Sequence, residues 1–448
     1  MAVIIVTLVS FVVLSLVALT LASGQGAQTS SARDRNFDLA LGAAEAGVHE
    51  AIARVNASGG TFTGDIGGGT DDGSYDGAVM RNGDTITIDM TGTTGGATLG
   101  KQRRVRVTMS PPLSFPFALF SETSIEVKNN GTITGGDVWA NDSVLLQQDD
   151  VVDGSVTAAQ SWARLEGGSH VTGNLWSGGT HTTGAYAIKM HNNARVDGWA
   201  KASVSAPSDP TTCGGADPDA YEVQVASGAA FGGDLTTWGV KTGSGNVGGV
   251  YRQNVCTEAP AAIPLPQLNP AVYDDAVPFT SVDEFQSYLT TNGGALSGVF
   301  VVTDPSPTQS NQVDLSGVSL AGDTTIVTNA PVFTNNLDDE GVADEAIFVL
   351  ASDYTPPTGT SCNVDHDFSE CAIHVKNNFQ TDCRTAVLIY ADNGPVSIKN
   401  NQEMCGAVAA QSILIKNNQI VDYDPRIARL LGFGEVTFEV TRWEELSV

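Results

Sequence analysis

The side chains able to do chemistry are few and scattered. Six cysteines, Cys213, Cys256, Cys362, Cys371, Cys383 and Cys405, all lie beyond residue 212. No C-x-x-C occurs, and no Cys/His cluster has zinc-ligand spacing, so these thiols are expected to form disulfides. An even number of widely spaced cysteines behind an apolar N-terminal segment points to an oxidising compartment. Six cysteines allow many pairings; sequence neighbours would join as 213–256, 362–371 and 383–405. His366, in Asp365-His366-Asp367, fits a metal site, part of a triad, or an exposed acidic loop inside a 362–371 bridge. The acidic turns holding Asp71, Asp72 and Asp76, and Asp338, Asp339 and Asp344, offer the oxygen ligands that calcium takes. Calcium is therefore the one cofactor the sequence suggests. Neither run matches an EF-hand loop, and solvated acidic loops are the plainer reading. No G-x-S-x-G, H-E-x-x-H, Walker or dinucleotide-binding motif is present. No catalytic residue is assigned, and the chain is not expected to be an enzyme.

The scaffold must be read from composition and pattern. A length of 448 residues suits two or three domains. Lys and Arg number 22 against 50 Asp and Glu, a net charge of −28. That balance argues against nucleic acid and against adhesion to anionic lipid through surface charge. Only 16% of residues are charged and 41% are hydrophobic, so the chain is not a solvated disordered acid. Forty-nine glycines without a collagen period, among much Val, Thr, Ser and Asn, read as β-structure with many turns.

Residues 1–32 carry no charge, and 2–22 are almost purely apolar. As helix that run is about 31 Å long, the thickness of a hydrocarbon core. A cleaved signal peptide would show a basic region before it, and a permanent anchor would show positive charges nearby to set its orientation. The segment after it offers a third reading. Phe37, Leu41, Ala44, Val48, Ala51, Ile52 and Val55 recur at three- and four-residue steps, which predicts an amphipathic helix continuing the apolar one. Gly24 and Gly26 lie between the two, so Ser23–Ala27 is the expected place for a kink or for local melting.

A charge-free apolar run leading into Arg33-Asp34-Arg35 and Ala43-Ala44-Glu45-Ala46 resembles the type IV pilin superfamily over residues 1–56, and within it the PilX-like minor pilins. The resemblance implies a helix that waits in the cytoplasmic membrane and then joins a filament core. It implies prepilin peptidase and inner-membrane assembly machinery as partners, with self or other pilins as neighbours. Prepilins carry a short basic leader ending in Gly, and none stands before the apolar run; if a leader has been removed, the resemblance implies that Met1 is the mature, methylated residue. Most pilins have Glu at mature position five, where it is thought to pair with a neighbour's N-terminus; Ile5 stands there. That departure resembles the tip-type minor subunit of type II secretion pseudopili and leaves major and minor roles open. The assembly residues implied are Met1, Ile5, Gly24, Gly26, Arg33, Asp34, Arg35 and Glu45.

Beyond the helix, the Gly-, Thr- and Asp-rich segment 57–82 reads as loop. Asp84–Met90 and Gln102–Met109 alternate and predict a hairpin that covers the helix's apolar stripe. From residue 121 the sequence repeats. Gly136-Asp-Val-Trp-Ala140, Gly154-Ser-Val-Thr-Ala158, Gly173-Asn-Leu-Trp-Ser177 and Gly198-Trp-Ala-Lys-Ala202 recur after polar turns. Such a period is the mark of a parallel β-helix, expected to be right-handed, whose rungs bury their faces only by stacking. Lys376-Asn377-Asn378, Lys399-Asn400-Asn401 and Lys416-Asn417-Asn418 carry the pattern to the C-terminus, echoed by Lys128-Asn129-Asn130. Asn suits left-handed turns, and stacked Asn side chains can form ladders, so these read as turns rather than catalytic groups.

The expected fold class is α+β, mainly β: a pilin-type helix over 1–56, a β-meander over 57–120, a β-helix over 121–425 with an insertion at about 207–295, and a C-terminal helix and strand over 426–448 that cap the solenoid. The expected function is that of a structural subunit of an extracellular filament, its β-helix presented for adhesion or protection. The alternative is a membrane-anchored surface adhesin or glycan-binding module that never polymerises.

Overall fold

The computed structural model describes residues 2–58, 62–70, 73–82, 85–94, 101–110, 115–179, 186–204, 213, 221–273, 275–308, 310–337, 339, 345–357, 362, 370–377, 383–400, 403–432 and 439–446, with side chains of the first helix from Val13. The chain divides into two compact units, Met1–Pro112 with Glu435–Val448, and Leu113–Gly434.

The first unit is one helix on one sheet. Helix α1 spans Ala2–Ala57, 56 residues and about 84 Å. It is helical through Ser23–Ala27, so local melting at Gly24 and Gly26 is absent from this single chain. Two glycines at about 1 kcal/mol each do not interrupt a helix that good helix formers propagate from both sides. Five strands cover the second half of α1: β1 (Gly64–Thr70), β2 (Gly73–Asn82), β3 (Thr85–Thr94), β4 (Gln102–Ser110) and the C-terminal strand Glu439–Leu446, each antiparallel to its neighbour. Ala44, Val48, Ala51 and Val55 are fully buried against Ile66, Ile86, Ile88, Met90, Val105, Val107 and Met109. The predicted hairpin is β3–β4. The predicted loop over 57–82 is instead largely strands β1 and β2. Glycines let this sheet come close to the helix: a Cβ on Gly92 of β3 would lie 2.0 Å from the Ala40 carbonyl oxygen, and one on Gly73 of β2 would lie 3.3 Å from the Ala43 methyl.

The second unit is a parallel β-solenoid with three faces. On the first face, Phe117–Ser121, Asp137–Ala140, Val156–Ala158, Leu175–Ser177, Ala200–Ala202, Leu235–Thr237 and Tyr251–Gln253 pair in succession. Inward positions such as Val138, Val156, Leu175 and Leu235 are fully buried, and outward ones alternate with them. The repeated glycines sit where successive rungs touch. A Cβ on Gly154 would lie 2.5 Å from the Gly136 oxygen, one on Gly173 2.5 Å from that of Gly154, and one on Gly198 2.5 Å from that of Gly173. The second-face turns use left-handed Asn: Asn377, Asn400, Asn417 and Asn129 have φ of 40°, 73°, 62° and 63°. Their amides form the expected ladder, Asn400 Nδ2 donating to Asn377 Oδ1 (2.5 Å), Asn417 to Asn400 (2.8 Å) and Asn129 to Asn417 (2.9 Å).

The rungs do not stack in chain order. Residues 277–422 form one continuous half and 117–253 the other. They meet where Glu403–Lys416 pairs with Phe117–Ser121 and Ser124–Lys128, and Ile420–Asp422 with Thr132–Thr134. The chain thus enters and leaves the solenoid at adjacent central rungs, and the whole solenoid is an insertion between two neighbouring antiparallel strands, β4 and the C-terminal strand. A proline-rich strap returns from one end to the other. Thr257 bonds Ser203 (2.7 Å), the Ile263 N–H donates to Asn141 Oδ1 (2.9 Å), that of Leu265 to Glu122 (3.2 Å), and Gln267–Leu268 pairs with Leu431–Gly432. At the far end helix α2 (Val282–Thr291), N-capped by Ser281, turns Val282, Phe285 and Leu289 onto the core.

Two boundaries therefore change. The expected insertion at 207–295 is, among the described residues, mostly solenoid: Glu222–Gln253 are rungs and Val277–Val302 are the opposite end, with the strap between them. The C-terminal strand does not cap the solenoid. It pairs with β4, Val440 opposite Met109 and Trp443 opposite Val107 across a register shift, and completes that sheet. The expected short helix is a 3-10 turn, Pro425–Arg429.

Candidate functional site

The surface that asks for a partner is the first half of α1. Val13, Leu14, Leu16, Val17, Leu19 and Leu21 are between 49% and 73% exposed. At 100° per residue they spread over most of the helix circumference, unlike the single stripe that faces the sheet further along. The hydroxyls among them are satisfied within the helix: Thr20 Oγ1 donates to the Leu16 and Val17 carbonyls, and Ser23 Oγ to that of Thr20. A helix so arranged is ready for an environment without water. Among the described residues, no helix is long and apolar enough to cross a membrane. Met1 and the side chain of Ile5 lie outside the described residues, as do the other side chains before Val13.

The first charges of α1 come at its junction with the sheet. Arg33 lies 5.8 Å from the Phe37 ring centroid, Lys101 5.2 Å and Arg103 4.6 Å, so three cations surround one aromatic face set. Arg103 also pairs with Glu445 at 2.9 Å. Asp34 and Arg35 are exposed on the helix, and Glu45 is half-buried with no hydrogen bond or ion pair to any described residue. The Ala-rich motif around Glu45 has a packing role: Ala43, Ala44 and Gly47 are buried where Gly73, Met90 and Gly92 approach. The structure thus does not gather Gly24, Gly26, Arg33, Asp34, Arg35 and Glu45 into one site; it strings them along α1.

The sequence reading missed a buried ionic cluster on the other side of the same sheet. Asp89, 8% exposed, accepts hydrogen bonds from Arg104 and Arg106, the latter at 2.7 Å. Burial pushes the Asp89 carboxyl up, but the hydrogen bonds and charges of the two guanidinium groups outweigh it and hold it below the usual range. The alternation of Arg104 and Arg106 on β4 was the available signal.

The six cysteines pair as Cys213–Cys256, Cys362–Cys371 and Cys383–Cys405. Cys383, Cys405 and Asp422 bring their ligand-type atoms within 4.8 Å of one another, but the two sulfurs are already bonded to each other. Of the calcium candidates, Asp76 lies on β2 at an open groove of about 420 Å³ beside Asp65, Asp89 and Arg104, and Asp339 is buried. Asp71, Asp72, Asp338, Asp344 and His366 lie outside the described residues. A larger open groove of about 470 Å³ flanks the second solenoid face, lined by Glu126, Glu370, Gln411, Ser412, Pro356 and Pro357 among others.

No protein-family model matches the chain. No curated protein matches it either. Among solved structures, the competence-associated pilin ComZ from Thermus thermophilus matches at 15% identity over 91% of this chain and 97% of that one, with a TM-score of 0.24. An overlap that small carries no argument about this chain.

Proposed function

We propose that the chain is a pilin-like structural subunit of an extracellular filament. The observation that carries the reading is the exposed apolar half of α1, continuous with a half that is packed on its own sheet. Apolar side chains over most of the circumference belong in lipid or in a helix bundle. A subunit that waits in the cytoplasmic membrane and then bundles with its copies meets both in turn, the neighbouring helices replacing lipid. The resemblance of residues 1–56 to type IV pilins supports the same course, with processing by prepilin peptidase and methylation of the mature N-terminus. Disulfides fit a compartment outside the cytoplasm. The solenoid then serves adhesion or protection, and no catalytic role is assigned to it. The second reading, a membrane-anchored surface adhesin, shares the same helix and solenoid.

Electron microscopy of sheared surface filaments, with mass spectrometry of the subunit N-terminus, separates the two. The filament reading expects this chain in the lattice or at its tip, beginning at a methylated residue. Leu16→Glu with Leu19→Glu should abolish incorporation while circular dichroism of the solenoid is unchanged. Unprocessed chain retained in the membrane fraction, with no filament containing it, overturns the reading in favour of the anchored adhesin.

A further inference from the structure

Two charges on α1 are placed for a partner that the chain does not itself supply. Arg35 is exposed, with no carboxylate or aromatic ring against it among the described residues, whereas Arg33 lies over Phe37 and Arg54 pairs with Glu50. At 100° per residue Arg35 points directly away from the stripe of Ala44, Val48, Ala51 and Val55, with Ala32 and Leu39 beside it on the same bare face. Glu45 is half-buried on the flank of the helix, one turn before His49. The His49 ring centroid is 6.2 Å from that of Trp443, so this flank borders the C-terminal strand. That strand is the edge of its sheet, paired with β4 on one side and with no described strand on the other. It leaves Val440 44% and Trp443 42% exposed. Leu41 and Ile52, partly buried, continue the apolar surface along the flank that carries Glu45. A carboxylate partly out of water needs a cation, and large apolar side chains grouped around one mark a contact surface. Asp34 and Asp38, the other acids at this level, are exposed, and water serves them.

We propose that this flank receives the α1 helix of a second copy of the chain, Arg35 of one copy pairing with Glu45 of the next while Ala32 and Leu39 lie against Trp443 and Val440. The charges match one to one, and Trp443 offers the guanidinium a ring face as well. A lipid headgroup would meet Arg35 but leave Glu45 and the apolar strand edge unmatched. Between parallel helices the pairing sets an axial offset of ten residues, about 15 Å. Apolar runs of about 31 Å then still overlap along about half their length, so each copy's exposed half keeps helical neighbours. The giving face and the receiving flank are different surfaces, so each copy engages one neighbour through Arg35 and another through Glu45. A head-to-tail contact with an axial offset extends as an open series instead of closing as a dimer or a ring. The proposal deepens the filament reading and rests on it.

The test uses cells making the full chain, with this subunit measured in sheared filaments. Arg35→Glu and Glu45→Arg should each cut its yield there at least tenfold, and the double reversal should restore it. Asp38→Arg should not rescue Arg35→Glu. The wild-type chain, which removes any question of folding, supplies the second readout. Arg35 should be protected from phenylglyoxal, and Trp443 from hydroxyl radicals, in filaments relative to chain dispersed in detergent. A double reversal that folds as the wild type does by circular dichroism yet stays as poor as the single ones overturns the proposal and leaves the filament reading standing. So does equal reactivity of Arg35 and Trp443 in filaments and in dispersed chain, or a filament in which each copy is isolated among other subunits. Wild-type chain found in no filament sinks the filament reading and this proposal with it.

Discussion

Asp150 shows how a residue's chemistry depends on where the stack places it. In sequence it is half of an Asp-Asp turn. In the fold it is fully buried, with Oδ1 accepting from the Gly131 N–H at 2.7 Å and Oδ2 from the Gln147 N–H at 2.5 Å. Burial dominates over these hydrogen bonds and pushes its pKa up to about 7. A folded pKa raised above the unfolded value of 3.8 means a contribution that is full below about pH 4 and lost as pH rises through about 7. The melting temperature should therefore fall between pH 5 and pH 8. In Asp150→Ala that slope should flatten, at a cost of about 2 kcal/mol at pH 5 for two orphaned amides; an unchanged slope would assign the pH dependence elsewhere. Nothing in the sequence distinguishes Asp150 from the exposed Asp149 beside it. The Asn turns were legible, because left-handed backbone selects Asn at each repeat, whereas burial of one carboxylate depends on which rung lies above it.

At the level of elements, legibility followed repetition. The glycine-led strands between Gly136 and Ala202 recur often enough to announce a solenoid. Strands as short as Lys241–Thr242 and Asn246–Val247 carry no alternation, so the sequence does not distinguish their rungs from an insertion. The glycine-rich run that suggested loop makes strands β1 and β2, while the glycine that the helix–sheet contact requires lies on β3. Gly92 gives the sharpest test. Gly92→Val would force its Cβ into the Ala40 carbonyl, and denaturant unfolding of the full chain should show the helix-sheet unit losing at least about 2 kcal/mol. An unaltered transition would mean that α1 is not seated as described. Chemistry along α1 was the least legible part, since Arg33, Asp34 and Arg35 gain meaning only from what the exposed helix meets.

For the whole molecule, the order of rungs sets the order of folding. Within each half, paired strands lie close in sequence, as Val156 does to Val138 and Leu175. At the seam, Asn129 meets Asn417 across 288 residues. Loop closure of that length delays contact formation. Pulse-labelled hydrogen exchange during refolding should protect Val156 and Val144 before Asn417 and Thr132. Simultaneous protection across the seam would show that the halves do not form independently. No sequence periodicity could disclose this splice, because parallel rungs carry the same pattern whichever rung they join.

The central position of the seam also determines how the molecule carries load. Both covalent connections to the solenoid leave from the seam rungs. A tug on anything held there passes to two polypeptide tethers in parallel through one or two ladders of hydrogen bonds. The outlying rungs and the α2 cap stay out of the line of tension, so either end can lengthen, fray or be nicked without loosening the grip.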